Sequence, residues 1–243
     1  MSIQEKLTTI AENVPLVYEA GVAEGEFQYR QRWWENFCNT AAAQDYLFYG
    51  KGWNDTTFNP YGVVIKACKN YMFSDNTITN IPQKLIDGGA SIDWSTTSTL
   101  LATFQACSSS VLPDVDLSTI TSLTRTFRSA QKATRLHIYN LRADCTFDTP
   151  FLYLYEMRDF EMTGTIGQNG FNMPHSKVLS KASITNIINC LSTTTSGLSV
   201  TISKTAVNKA FATTEGGTDG STSAEWQALI ATRSNWTISL ADS

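Results

Sequence analysis

The sequence predicts an α/β chain: a short N-terminal helical segment, then an irregular leucine-rich-repeat-like solenoid, then a helix/strand C-terminal cap. Three observations predict it. First, the segment from Leu100 to Ile138 repeats itself: Leu100 and Leu123, Thr103 and Thr126, and Phe104 and Phe127 each stand 23 residues apart. Second, Phe73 and Phe104 are each followed eight residues later by an apolar-proline step, Ile81-Pro82 and Leu112-Pro113. Third, the last third of the chain alternates helical and strand periodicities. A repeated apolar position is what a stack of chain turns demands, because one turn cannot bury its own apolar side and must pack on its counterpart.

The elements run in chain order. Within residues 1–37, Ile3, Leu7, Ile10, Val14, Val17 and Gly21 fall at alternating steps of four and three, the spacing of a coiled-coil seam. Ser2 and Glu5 have capping-box spacing. Pro15 cuts the run, so the spacing predicts one helix to about Asn13 and another from Pro15, since proline fits a first turn. This helical anchor either docks on its own domain or associates with copies of itself; a trimer is the expected oligomer, with Ile3, Leu7, Ile10, Val14 and Val17 as its contact positions. Trp33, Trp34 and Phe37 would seal its end against the next domain.

Residues 38–66 are rich in aromatic and turn residues and read as a capping segment, with a strand in "DYLFYGKGW" ending at Gly50 and a turn in "NDTTFNPYG". Residues 67–170 carry the repeats. Their candidate core positions are Phe73, Ile81, Leu100, Phe104, Leu112, Leu123, Phe127 and Leu136. The unequal repeat spacing implies an insertion, "QKLIDGGASIDWST", on one edge. Residues 171–243 form the C-terminal cap: a helix in "SKASITNIINCLSTT", a strand in "GLSVTIS", a helix from the N-cap Ser203, a loop over 213–223, a helix in "AEWQALIATR" and a strand in "NWTISL".

Composition narrows the function. Of 243 residues 42% are apolar, enough for a sizeable core, but only 16% are charged against about 25% in ordinary soluble domains. Hydroxyl and amide side chains stand in for the missing charge, which suits a surface that packs into assemblies. Net charge is −4 with no basic run beyond Arg125, Arg128, Lys132 and Arg135, so nucleic acid is not an expected partner. No basic start precedes an apolar run, which predicts no signal peptide, and no stretch is long enough to span a membrane. Five cysteines at 38, 68, 107, 145 and 190 lie far apart; they read as buried free thiols of a chain made in a reducing cytoplasm.

No catalytic, cofactor-binding or metal-binding constellation stands out. His137, in "RLHIYNL", reads as an exposed strand residue, and His175 as a loop residue. Gly164, Gly167 and Gly170 are turn punctuation without the neighbours of a phosphate loop. Asp114 and Asp116 would share one strand face and could hold a cation, but no further ligand accompanies them. Trp33, Trp34, Trp53 and Trp94 fall outside the repeat positions, where they either stack on a carbohydrate or protein partner or lie buried in the caps.

The segments "MSIQEKLTTIAENVPLVYEAG", "GWNDTTFNP", "NYMFSDNTITNIP", "GTIGQNGFN", "LSKASITNIINCLSTTTSGLSVTISKTAVNKAF" and "LIATRSNWTISL" together resemble proteins encoded by phages and prophages of gut anaerobes that carry BspA-type leucine-rich-like repeats. The resemblance spans nearly the whole chain and is most specific in the C-terminal block. Pro15 and the degeneracy of the repeats depart from it. It implies a virion structural protein (tail, baseplate, fibre or head surface) that acts as an interaction or host-adhesion module. Its partners would be other virion proteins and a host cell-surface glycan or protein, with no cofactor. The alternatives are a tail-associated glycan-degrading enzyme and a bacterial leucine-rich-repeat adhesin.

Overall fold

The computed structural model describes residues 25–39, 45–66 and 70–242. The anchor positions Ile3, Leu7, Ile10, Val14 and Val17, together with Cys68, lie outside these residues. Helix α1 covers residues 25–39. It sets Trp34 against Phe48, Trp53 and Phe58, so the aromatic end of the helix does close onto the next segment.

Recurrent phenylalanines organise the chain after α1. Phe48, Phe73, Phe104, Phe127 and Phe151 stack in one column, with successive ring centroids 5.0, 5.3, 5.6 and 5.7 Å apart. Each phenylalanine sits at the middle of a turn with a left-handed residue two positions before it and another two after. The first set is Tyr46, Tyr71, Ala102, Arg125 and Thr149, with φ between 51° and 62°; the second is Gly50, Asp75, Ala106, Ser129 and Tyr153. Each turn hands its amides to the carbonyls of the next: Phe73 N–H to Thr103, Phe104 N–H to Thr126, Phe127 N–H to Pro150. Stacking thus satisfies buried backbone groups that a lone turn would leave open. That gain offsets the left-handed backbone, which costs a non-glycine residue on the order of 1 kcal/mol.

The leucine-rich solenoid expected over 67–170 is not what forms. The strands are divided among small parallel sheets: β1 (Val64–Ile65) with β2 (Ser91–Ile92), β3 (Thr99–Leu101) with β5 (Ser122–Thr124) and β7 (Thr146–Asp148), and β4 (Val115–Asp116) with β6 (Arg135–Leu141) and β8 (Asp159–Gly164). None closes and none runs through the chain, so the fold is mixed α/β with several small parallel sheets and, among the described residues, five helices. The reason lies in the spacing. The phenylalanines fix the turns, but 31 residues separate Phe73 from Phe104 where 23 separate Phe104 from Phe127. Segments of unequal length between fixed turns cannot pair along one continuous ladder.

Two local expectations also change. Residues 45–53 are turns rather than a strand, because Tyr46 and Gly50 are left-handed and break any extended run. The Ile81-Pro82 step opens helix α2 (Ile81–Asp87): the Asn80 side chain accepts from the Gln83 N–H, and Pro82 occupies the first turn.

Beyond residue 170 the elements match the sequence pattern. Helix α3 (Lys181–Cys190) starts at the N-cap Ser180, and α4 (Lys204–Ala210) at Ser203, whose hydroxyl accepts from the Ala206 N–H. Strand β10 (Leu198–Ser203) lies parallel between β9 (Asn172–Met173) and β11 (Trp236–Ala241), with α5 (Ala224–Ala231) preceding β11. Helix α3 closes the free edge of β8 with side chains that imitate a strand. Asn186 accepts from the Met162 N–H and donates to its carbonyl, while Ser183 accepts from the Phe160 N–H. One buried cluster runs from Trp34 to Trp236 and joins all these parts.

Candidate functional site

The eight candidate core positions, Phe73, Ile81, Leu100, Phe104, Leu112, Leu123, Phe127 and Leu136, are all fully buried. They set the interior and leave the exposed face of β4–β6–β8 to carry chemistry. Strand alternation puts Leu136 and Ile138 inward and Arg135, His137 and Tyr139 outward. Strand β8 pairs in register beside them, Arg135 opposite Asp159 and His137 opposite Glu161, so two acids flank the basic strand.

The ion pairs interlock. The Arg135 guanidinium lies 3.4 Å from Asp114 and 3.8 Å from Asp159. It donates to His137 Nδ1 at 2.8 Å. An arginine has no acceptor, so in the neutral ring Nδ1 is the acceptor and Nε2 carries the hydrogen. His137 Nε2 lies 3.3 Å from Asp159 and 3.7 Å from Glu161. The His137 side chain is only 12% exposed, so the expectation of an exposed strand histidine is corrected: its neighbours on β6 and β8 cover it. Burial, together with the negative charge of Asp114 and Glu161, pushes the Tyr139 phenol above its ordinary pKa.

Asp114 and Asp116 do not act as a pair. Asp114 faces Arg135, and its carbonyl accepts from the Trp94 indole at 3.1 Å. Asp116 accepts from the Ser118 N–H at 2.9 Å and the Asn140 amide at 3.2 Å. Burial works against its charge, but these hydrogen bonds outweigh it and hold the carboxyl below its usual range. Among the described residues no group of three or more His, Cys, Asp or Glu side chains is placed to hold a metal.

Two open concavities meet at Arg135. One, of about 710 Å³, is lined by Val111, Thr134, Arg135, Tyr155, Glu156, Arg158, Asp159 and Val178. The other, of about 520 Å³, runs past Ile86, Ile92, Trp94, Pro113 and Asp114. Tyr155 and Val178 are exposed apolar surface at the first, and Ile86 at the second. Of the tryptophans read as candidate stacking residues, Trp34 and Trp94 are buried, Trp53 is partly buried and Trp33 is exposed. His175 is buried, its ring 4.4 Å from that of Tyr153.

Sequence reasoning did not single out Tyr155, Glu156 and Arg158. A signal was present: "YEMRDFE" packs four charges into seven residues of a chain with few. Compared with family models, curated proteins and solved structures, the chain matches none. Among the described residues no helix is long and apolar enough to cross a membrane.

Proposed function

We propose that the chain is a non-catalytic interaction module of a virion, a component of tail, baseplate, fibre or head surface that adheres to a host cell-surface glycan or protein and contacts other virion proteins. The observation that carries the recognition part is the open groove centred on Arg135, where Arg135 and Asp159 of the sheet and the turns beside it bring mixed charges, an exposed tyrosine and apolar residues together. Such a surface binds by complementarity spread over several contacts, with a ring and a guanidinium as its strongest anchors. The virion part rests on the resemblance of the sequence segments to phage and prophage proteins. The few charges and many hydroxyl and amide side chains of the chain favour assembly. Self-association, as a trimer, rests on the heptad spacing of Ile3, Leu7, Ile10, Val14 and Val17.

Immunogold labelling of purified particles, with mass spectrometry of their proteins, tests the location. Label at a fixed site on intact particles supports the reading, and its absence from particles overturns it. Incubation with host glycans followed by product analysis tests the chemistry, since release of shortened sugars would make the chain an enzyme.

A further inference from the structure

Among the described residues, the Arg158 guanidinium makes no ion pair or hydrogen bond, while Arg135 beside it in the groove is engaged by Asp114, Asp159 and His137. The Arg158 backbone, by contrast, is fixed from both sides. The Arg158 and Asp159 N–H groups both donate to the Thr134 carbonyl, at 3.0 and 2.9 Å. The Arg158 carbonyl accepts from the Ser180 N–H at 2.9 Å and the Ser183 hydroxyl at 3.0 Å. A guanidinium without a partner has its donors open to an anion, and its planar fork matches a carboxylate.

The rest of the cavity suits a sugar ring. Tyr155 is 43% exposed and offers an aromatic surface for the C–H face of a pyranose. Val111 and Val178 supply apolar wall, and Glu156 is an acceptor for sugar hydroxyls. The Thr134 hydroxyl donates to the Ser110 carbonyl at 2.9 Å, which leaves its own oxygen free to accept. A volume of about 710 Å³ lies in the range of ligand sites and exceeds what one monosaccharide fills.

We infer that this groove binds an acidic glycan, with a hexuronate ring on Tyr155 and its carboxylate on Arg158. This rests on the recognition reading above and names its ligand class. Titration calorimetry on the full chain tests it, with glucuronate-containing tetrasaccharide as one probe and a neutral glucose tetrasaccharide as the other. The acidic probe is expected to bind at least about tenfold more tightly than the neutral one. Arg158→Ala should remove that preference, Arg158→Lys restore part of it, and Tyr155→Ala weaken both probes by about fivefold. Both side chains are exposed, so the variants should keep the wild-type circular dichroism and melting temperature. Equal binding of the two probes overturns the acidic class, and an acidic preference that survives Arg158→Ala overturns the placement of the carboxylate on Arg158. Failure of both probes to bind overturns the inference; the labelling of particles, a separate measurement, decides the virion reading.

Discussion

The Thr126 hydroxyl donates a buried hydrogen bond of 2.7 Å to the carbonyl of Leu100, one turn back in the stack. This gives Thr126 two links in the stack: its side chain bonds an earlier turn while its own carbonyl receives the Phe104 amide. Thr126→Val keeps the shape and removes the donor, so it should cost about 1 kcal/mol, the net worth of one buried hydrogen bond. Thr126→Ser, which retains the hydroxyl, should recover most of that. Urea denaturation midpoints of the two variants check it; equal midpoints would show that the bond contributes nothing.

Phe127 lies between Phe104 and Phe151, within 3° and 5° of parallel to each. Phe127→Ala opens a cavity in the middle of the column and should destabilise by about 3–5 kcal/mol. Phe48 stands at one end, 28° from its only neighbour in the column, Phe73. Phe48 is fully buried and also packs on Trp34, Phe37, Trp53 and Phe58, so Phe48→Ala should cost about as much. Calorimetric melting of both variants tests this, and a loss below about 1 kcal/mol in either would mean that the column is not a main source of stability.

Much of the interior was legible in the sequence, and the way the strands assemble was not. Leu100, Phe104, Leu123 and Phe127 announce their burial by recurring, because equivalent turns need equivalent apolar residues. The C-terminal helices announce themselves through Ser180 and Ser203, which cap them. Recurrence does not specify how the segments between turns pair. That depends on their lengths, and α2 lengthens one of them. The groove was hidden for a different reason. Arg135 and Arg158 are 23 residues apart and meet only because β6 and β8 pair in register. The left-handed backbone at Tyr46 and Tyr71 was also unreadable, since tyrosine is a residue that disfavours it.

Gly164 has φ +100°, and a Cβ there would collide with the backbone of Leu141 at the irregularity between β6 and β8. Gly197, at φ +75°, has open space around the same position. Gly197→Ala should thus cost about 1 kcal/mol, the conformational term alone, and Gly164→Ala clearly more because strain adds to collision. Chemical denaturation of the two single variants separates these terms, and similar losses would place the whole cost in φ.

Asp242 ties the end of β11 to the start of α4, accepting from the Ser203 hydroxyl, the Thr205 N–H and the Thr205 hydroxyl. Burial opposes its charge, yet these bonds hold its carboxyl below the ordinary range. Asp55 is lowered chiefly by the Thr79 N–H. A carboxyl depressed in the folded state binds fewer protons there than in the unfolded chain. Its contribution is therefore complete above the unfolded value of about 3.9 and is lost as pH falls below it toward the folded value. Urea midpoints should stay level from pH 7 to about pH 5 and fall below about pH 4. Asp242→Asn should lower the midpoint at pH 7 and make the acid fall shallower; an unchanged slope in that variant would remove Asp242 from the account.

Burial pushes the thiols of Cys38, Cys107 and Cys145 up to about 12, and raises Cys190 as well. At Cys145 the neighbouring Asp144 adds to the effect. The thiolate is the reactive form, and a free cysteine with a pKa of about 8.5 has a substantial thiolate fraction at pH 8. In the folded protein burial makes that fraction far smaller for these three thiols, and the side chains themselves are shielded from reagent. Iodoacetamide at pH 8 should leave Cys38, Cys107 and Cys145 unmodified over a time that labels the urea-unfolded chain completely. Cys190, which is only partly buried, should be the first of these four to react. Peptide mass spectrometry after timed labelling reads each site separately, and rapid labelling of Cys107 in the folded protein would contradict the packed interior on which the stacked turns depend.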